Sequence, residues 1–316
     1  MRAIEQPEAF VWAILPHAAR TFSSCIVMLP KDKALAAAVG YMYCRALDTY
    51  EDLSREPTAA LDAFAQRFSV EPKPLTPNDL PALEPVQVQD DRDRAHLLLV
   101  ERLAQVDTVY GRLMPAHRSG IARCVREMAQ GMKRRHCDAS EDVLSYCRSV
   151  IGNPTVFALE LLLDRHLTLD EHETAMQVGE LVQIANITRD IEKDLDRGVC
   201  YDARLRACND REAIETVRRD LMTTALHRGE AYRRMMAMMQ CPRWQLGRAA
   251  ALLMLMFTNR YYDECARQVG YCGWSATRRT WRLFASVAPA VLSHGYAMRK
   301  AKQVESAWSR FALSPS

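Results

Sequence analysis

The chain has 316 residues, of which 49% are hydrophobic and 26% charged, and its formal net charge is +3. This is an ordinary globular composition, long enough for a large buried core, without the concentrated positive charge of a nucleic-acid-binding protein. The longest apolar run, Ala249–Phe257, is far shorter than the roughly 20 residues of a membrane span.

Helical periodicity runs along nearly the whole sequence, and no segment alternates as a strand does. The predicted helices, in chain order, are Pro7–Ser24, Lys31–Leu53, Thr58–Phe68, Asp91–Leu113, His117–Arg135, Ser140–Leu163, Asp170–Asp194, Asp210–Met239, Trp244–Gln268, Ser275–Phe284 and Ala290–Phe311. Capping side chains are expected at three of the starts, Ser140, Asp170 and Asp210. The sequence therefore predicts an all-α protein.

One segment interrupts this pattern. Residues 69–85 carry five prolines, each of which lacks a backbone donor and disfavours helix in the residue before it. We interpret the segment as a surface loop between helices. Because no repeat or heptad array is present, residues 1–316 are predicted to form a single helical domain.

The ten cysteines are scattered and form no CxxC pair, which argues against a zinc ribbon or a thioredoxin-type redox motif. Several of them lie on apolar helix faces, where reduced cysteines serve as small core residues. This usage is typical of a cytoplasmic protein.

The first acidic cluster lies in the predicted helix Lys31–Leu53. Tyr41, Arg45, Asp48 and Asp52 follow one another at spacings of four, three and four, so they share one helix face. Charged groups in a helix this rich in alanine need partners, because an unpaired buried charge is costly. A solvated face with a simple ion pair, Arg45–Asp48 or Arg45–Glu51, remains the alternative.

The second cluster repeats the pattern. Gln183, Asn186, Asp190 and Asp194 follow at three, four and four, and Arg189 adjoins the first aspartate. Amides, carboxylates and arginine are the groups that orient a diphosphate and Mg²⁺. A charged helix end would not place the two amides on the same face.

Aspartates four residues apart on a helix stand about 5.4 Å apart along one face. Two such pairs facing each other across a helical cavity would hold Mg²⁺, which favours carboxylates, waters and substrate phosphates. The two clusters therefore predict an enzyme that binds and ionises a diphosphate.

Both segments resemble the squalene/phytoene synthase family, whose members join two prenyl diphosphates head to head. The stretch Arg45–Asp52 resembles the first aspartate-rich motif, in its squalene synthase form, and Gly179–Asp194 resembles the second. Further matches are Arg20-Thr21-Phe22, Leu29-Pro30, and Tyr146 with Val150 in the stretch Ser145–Gly152. The resemblance weakens after Tyr201.

The resemblance implies an isoprenoid synthase fold around a central cavity and a transferase that uses Mg²⁺. The implied metal ligands are Asp48, Asp52, Asp190 and Asp194. The implied catalytic residues are these four aspartates together with Tyr41, Arg45 and Tyr146. The implied substrate-binding residues are Arg20, Thr21, Phe22, Arg45, Val150, Gln183, Asn186 and Arg189. The expected reaction converts two farnesyl diphosphates to presqualene diphosphate and then to squalene, with NADPH as hydride donor, or to dehydrosqualene without it.

The chain departs from the family pattern in two places. Ala18 and Ala19 stand where a hydroxyl-bearing residue is usual, and Thr155 replaces the last glycine of a turn that here reads Ile151–Thr155 with a proline inside it. We expect these positions to line the reaction cavity and to affect the choice of product.

Three alternatives stay open. The enzyme would make phytoene if it used geranylgeranyl diphosphate, or act on one diphosphate as a class I terpene synthase. A non-catalytic helical assembly factor is the alternative from another class, and the intact aspartates argue against it. No nucleic-acid partner is expected, and peripheral membrane contact during release of an apolar product stays open.

Overall fold

The structure is a computed structural model that describes residues 4–19, 21–54, 56–69, 80–81, 83, 88, 90–137, 142–240 and 245–314. Every regular element within these ranges is a helix, which confirms the predicted all-α class. None of the described helices is long and apolar enough to cross a bilayer. Most of the proline-rich loop predicted over residues 69–85 lies outside the described residues.

The chain forms two compact units, the first from Met1–Glu141 and Phe157–Arg165 and the second from Asp142–Val156 and His166–Ser316. The prediction of one domain over residues 1–316 stays a prediction. Helices of the first unit are α1 (Pro7–Ala19), α2 (Thr21–Ile26), α3 (Lys31–Leu53), α4 (Pro57–Arg67), α5 (Asp91–Glu101), α6 (Leu103–Tyr110) and α7 (Pro115–Cys137).

The second segment of helices begins with α8 (Val143–Cys147), a π-helical turn (Arg148–Gly152) and α9 (Asn153–Leu163), whose later residues belong to the first unit. The others are α10 (Leu169–Asp196), α11 (Arg204–Ala207), α12 (Arg211–Leu226), α13 (Glu230–Met238), α14 (Gln245–Gln268), α15 (Thr280–Val287), α16 (Pro289–Leu292) and α17 (His294–Ala312).

Helix α3 is central to the first unit and packs against α1, α4, α5, α6 and α7. Its buried face includes Tyr43, whose hydroxyl donates to Asp107 at 2.5 Å, and Arg67 pairs with the same carboxylate at 2.9 Å. The Tyr43 ring also meets Phe68 and Tyr110 edge to face. These contacts fix the rotation of α3, so its opposite face carries the first acidic cluster.

Helix α10 has the same role in the second unit, where α12, α13, α14 and the π-helical turn surround it. The buried Tyr262 hydroxyl donates to the Leu181 carbonyl at 2.6 Å, and Trp308, also fully buried, donates to Asn259 at 3.1 Å. The second acidic cluster therefore also stands on a helix held by packing along most of its length.

Several predicted helices are interrupted. The prediction Asp91–Leu113 is split at Arg102, whose side chain donates to the Ile4 carbonyl and lies 4.7 Å from the Phe10 ring. These contacts join residues about 90 or more positions apart in the chain, so the hydrophobic periodicity of the segment could not predict them. Ser140–Leu163 and Asp210–Met239 are likewise divided.

Of the three predicted N-caps, the structure confirms one, corrects one and does not describe the third. Asp210 accepts from the backbone of Ala213 at 2.9 Å and is confirmed as an N-cap. The cap of α10 is Thr168, in a reciprocal capping box with Glu171, so the prediction of Asp170 was wrong by two residues. Ser140 lies outside the described residues.

Candidate active site

Helix α3 begins and ends as the sequence predicts, at Lys31 and Leu53. Alanine and other good helix formers fill it, Pro30 precedes its first turn, and Ser54 is already extended. Gly40 lets it approach Phe157 closely, since a Cβ there would stand 2.8 Å from that ring. Helix α3 thus presents its acidic cluster from a rigid support.

Arg45 connects the members of the first cluster. Its guanidinium donates to the Tyr41 hydroxyl at 2.9 Å and pairs with Asp48 at 3.1 Å. The Tyr41 hydroxyl in turn donates to the carbonyl of Ala18 at 3.2 Å. Burial alone would lower the pKa of Arg45, but Tyr41 and Asp48 outweigh it and the pKa is raised. Arg45 is therefore a fixed cation.

The Asp48 carboxyl lies in an unusual electrostatic environment. Its pKa is raised to about 6, chiefly by burial and in part by the negative charge of Asp52. The positive charges of Arg45 and Arg92 act in the opposite direction. The side chain is nevertheless 27% exposed. Asp52, one turn further along α3, is exposed. A nearby cation would stabilise the ionised form of such a carboxyl group, and a metal ion would supply that cation.

Arg92 and His96 are residues of this cluster that the sequence analysis missed. Burial, with the nearby charges of Arg45 and Arg92, lowers the pKa of His96 to about 3, so the imidazole is neutral. They stand four residues apart on α5, which is the spacing that marks the acidic pairs. Charged neighbours at the start of α5 hide that signal, because they look like an ordinary solvated first turn.

Nε of Arg45 and Nε2 of His96 are buried, and neither atom has a hydrogen-bond partner among the described residues. Buried polar atoms without partners are uncommon in native proteins. An anionic ligand beside Arg45 would satisfy its Nε.

The predicted motif that begins at Arg20 is only partly visible. Arg20 and the side chain of Thr21 lie outside the described residues, and the Phe22 ring lies 5.5 Å from the Tyr41 ring. Ala18 and Ala19, which replace a usual hydroxyl residue, are 2% and 5% exposed. The Ala18 backbone carbonyl still contributes, as the acceptor for Tyr41.

In the second unit, α10 carries its predicted polar face. The Asn186 amide donates to the Gln183 side chain at 3.3 Å, and Arg189 donates to Asp190 at 2.8 Å. The Arg189 guanidinium also lies 4.5 Å from the Tyr261 ring. Burial would lower the pKa of Arg189, but its pairing with Asp190 raises it.

Tyr261 was also missed, because Tyr261-Tyr262 looks like core in the sequence. The structure separates their roles, since Tyr262 is buried and Tyr261 is half-buried against Arg189. A face-on arginine and tyrosine attract each other and hold the guanidinium in one orientation. Tyr261 therefore orients Arg189.

The opposite side of α10 is held by a buried arginine. Arg218, 2% exposed, donates to the carbonyl of Thr188 at 2.9 Å and to Glu192 at 2.5 Å. This keeps Asp190 and Asp194, four residues apart, on the face that is left partly open to solvent.

The segment around Tyr146 is held against α10 by charge and by close packing. Arg148 pairs with Glu173 at 2.7 Å and with the buried Glu180 at 2.5 Å. Tyr146 and Val150 are each 3% exposed, and the Tyr146 ring lies 5.6 Å from Tyr201.

Pro154 and Thr155 follow a π-helical turn, which the sequence analysis did not predict. Pro154 has no backbone N–H to give, and the wider turn before it accommodates the missing bond. The Thr155 hydroxyl donates to the carbonyl of Ile151 at 2.8 Å. Thr155 therefore contributes bulk at this position, while its hydroxyl serves its own helix.

The donor sets fit Mg²⁺. Each aspartate pair stands on one rigid helix beside a paired arginine, and 27% of the Asp48 side chain and 36% of that of Asp190 are exposed. Within the described ranges, no group of three or more His, Cys, Asp and Glu side chains could hold an ion by itself. Mg²⁺ commonly completes its shell with waters and substrate phosphates, so two carboxylates on one helix supply part of such a shell.

Comparison with solved structures shows the same fold. Two structures of Trypanosoma cruzi squalene synthase, with different bound ligands, match at TM-scores of 0.67 and 0.68. Both matches have 17% sequence identity and cover 98% of this chain and 99% of the other. Identity this low shows the fold and does not extend to the activity. None of the curated protein sequences matches the chain significantly.

The sequence profile described as squalene/phytoene synthase matches residues 15–285, which include both acidic clusters. Members of this family use prenyl diphosphates and are generally Mg²⁺-dependent. The match covers most of the chain, and it agrees with the fold found by structural comparison. The chain belongs to the squalene/phytoene synthase family, the head-to-head prenyl diphosphate synthases.

Proposed function

We propose that the chain condenses two molecules of farnesyl diphosphate head to head, giving presqualene diphosphate and then squalene or dehydrosqualene. One observation carries the proposal. Each unit presents an aspartate pair on the open face of its best-packed helix, with an arginine already paired to the first aspartate, Arg45 with Asp48 and Arg189 with Asp190. The squalene synthase form of the first motif favours farnesyl over geranylgeranyl diphosphate.

The aspartates and arginines act on the diphosphate of the substrate. Asp48, Asp52, Asp190 and Asp194 would hold Mg²⁺, which when bound neutralises the diphosphate and makes it a better leaving group. Arg45 and Arg189 would donate charge-assisted hydrogen bonds to its oxygens, as guanidinium forks do. The Nε of Arg45, which has no partner among the described residues, is available for such a bond.

The reaction begins when the bond between the first carbon and the diphosphate oxygen breaks, which leaves an allylic cation. The double bond of the second substrate attacks this cation, and loss of a proton closes a cyclopropane ring. A second ionisation and rearrangement follow. With NADPH as hydride donor the product would be squalene, and without it the loss of a proton would give dehydrosqualene.

Tyr41 and Tyr146 are the groups proposed to shield the cations or to handle the protons. Arg45 and the Ala18 carbonyl fix the hydroxyl of Tyr41, and Tyr146 is buried against Tyr201. Phe22 and Val150 would supply apolar wall, and an apolar wall must exclude water because water would quench the cations. Gln183 and Asn186, bonded to each other, would orient the second diphosphate.

The proposal is tested by incubating purified protein with farnesyl or geranylgeranyl diphosphate, with and without NADPH, and identifying the products by mass. Mg²⁺-dependent formation of a thirty-carbon product from farnesyl diphosphate is expected. A forty-carbon product from geranylgeranyl diphosphate alone would make the enzyme a phytoene synthase. Release of diphosphate without coupling would indicate a terpene synthase, and no release from either substrate would contradict an enzymatic role.

A further inference from the structure

The segment 265–304 has a one-sided charge. It contains seven lysines and arginines and neither aspartate nor glutamate between Glu264 and Glu305. The whole chain, by contrast, carries 42 basic and 39 acidic residues. This segment includes α15, α16 and the start of α17, all in the second unit. Positive charge is therefore concentrated along this segment, although the protein as a whole is nearly neutral.

Helix α15 has two apolar faces, and only one of them is used for packing. Leu283 and Val287, one turn apart, are 1% and 2% exposed and join the core. Trp281 is 62% exposed and Phe284 is 37% exposed. Tryptophan and phenylalanine are seldom exposed together on one helix without a partner, because each leaves a large apolar surface in water.

The exposed apolar face continues beyond Trp281 and Phe284. Ala285 and Ala288 are also exposed, and together the four positions follow the spacing i, i+3, i+4, i+7 of one helix stripe. Shortly after, at the end of α16, Leu292 is 85% exposed. These exposed side chains make up an apolar strip along α15 and α16 of the second unit.

Basic side chains border this strip. The Arg282 guanidinium lies 5.3 Å from the Trp281 ring. The Tyr296 hydroxyl donates to the Ser286 carbonyl at 2.7 Å, which brings the start of α17 to the end of α15. Arg299 and Lys300 lie 5.5 and 5.9 Å from that tyrosine ring. The strip therefore has cations at both ends.

A hollow of about 360 Å³ opens at the N-terminus of α15, and Ser275, Thr277, Arg279 and Arg282 are among its lining residues. Guanidinium and hydroxyl donors beside the N-terminus of a helix suit a phosphate group. The hollow is large enough for a lipid phosphate and open to its approach from solvent.

We infer that this surface, defined by Arg279, Trp281, Arg282, Phe284 and Leu292, docks the protein on a bilayer of anionic phospholipid. The apolar side chains would enter the boundary between headgroups and acyl chains, Trp281 at its usual interfacial depth. The arginines would meet lipid phosphates. An unbroken positive segment favours this occupant, because an anionic membrane presents one sign of charge over its whole area, whereas a protein surface mixes both.

The inference does not depend on which product the enzyme makes. Both end products proposed above, squalene and dehydrosqualene, are hydrocarbons too insoluble to leave through water, so contact with a membrane would provide their destination. The bilayer contact is peripheral, in agreement with the described helices, none of which is able to span a membrane.

Flotation of the full chain with vesicles tests the inference. Vesicles of phosphatidylcholine alone are compared with vesicles that also contain phosphatidylglycerol, at low and high salt. Wild type should float with the anionic vesicles, and salt should weaken the binding. Trp281→Ala with Phe284→Ala should lower the partition coefficient at least tenfold, and Arg279→Gln with Arg282→Gln about thirtyfold on anionic vesicles.

Matched control variants distinguish an effect of this surface from a general effect of removing any exposed apolar side chain or any exposed charge. Leu169→Ala removes an apolar side chain that is 93% exposed elsewhere in the unit, and Arg112→Gln with Arg211→Gln removes two exposed charges. Both controls should float as wild type does. Circular dichroism and diphosphate release without vesicles check that each variant is folded, and they report on the proposed reaction separately from docking.

Equal flotation with both vesicle types, or unchanged flotation of the Trp281 and Arg279 variants, would overturn the inference. So would a wild-type protein that ignores vesicles but forms an oligomer that Trp281→Ala with Phe284→Ala dissolves, since the strip would then be a protein interface. Binding of free diphosphate in the hollow, without flotation, would likewise count against a membrane.

Discussion

Gly152 and Gly179 pack backbone to backbone, so closely that a Cβ added to Gly179 would lie 2.4 Å from the Cα of Gly152. The first belongs to the π-helical turn and the second to α10. The contact brings the segment of Tyr146 onto the helix that carries the second acidic cluster, and the pairs of Arg148 with Glu173 and Glu180 hold it there. Only glycine permits this approach.

Gly179→Ala should therefore destabilise the protein, by about 1–3 kcal/mol or more, because the added methyl group meets backbone that has little room to move. Thermal unfolding measures the effect. Gly111→Ala is the control, since its Cβ would meet only ordinary contacts at 3.6 Å or more. Equal melting temperatures for Gly179→Ala and wild type would show that the two segments are not held as described.

The four aspartates should behave as one functional set. Asp48→Asn or Asp190→Asn removes a negative charge from a proposed metal ligand and should lower turnover about 100-fold or more, without unfolding the protein. The assay is diphosphate release at limiting Mg²⁺. Asp91→Asn serves as control, because that side chain is 94% exposed and pairs only with Arg94 among the contacts described. Near-normal turnover of both variants at limiting Mg²⁺ would refute the metal site.

Arg45→Ala and Arg189→Ala should weaken both substrate binding and ionisation, because each removes planar donors aimed at the diphosphate. We expect higher KM and lower kcat, with little recovery in Arg45→Lys and Arg189→Lys. Steady-state kinetics with farnesyl diphosphate gives both constants. Arg211→Ala, at a side chain that is 90% exposed and paired with Glu215, should leave them unchanged. If the two arginines were structural, melting temperature alone would fall.

Ala19 and Thr155 should tune the product more than they permit catalysis. Thr155→Gly with Ala19→Ser restores the usual family residues, and we expect a changed product ratio or acceptor preference with little change in total diphosphate release. The physical reason is bulk: the Thr155 hydroxyl is bonded within its helix, and small shifts of the second substrate change which carbon attacks. Product analysis by mass decides, and an unchanged profile would argue against the idea.

Residue spacing predicted the local features of this protein. Helix α3 has the predicted bounds, and Tyr41, Arg45 and Asp48 interact as their shared face implies. The Arg189–Asp190 pair on α10 follows in the same way. A regular helix converts spacing directly into direction, so no knowledge of the rest of the chain is needed. The motifs on those two helices also pointed to the family.

Only the tertiary structure decided which neighbours reach these helices. Arg92 and His96 lie 44 and 48 residues from Asp48 in sequence, and Tyr261 lies 72 residues from Arg189. Local periodicity therefore could not predict that these side chains come close to the two acidic clusters. The same holds for Trp281 and Phe284, whose apolar character predicts burial and whose exposure becomes visible only once Leu283 and Val287 have taken the core side of α15. Helix pattern is a property of consecutive residues, whereas burial depends on which distant side chains arrive to cover a face.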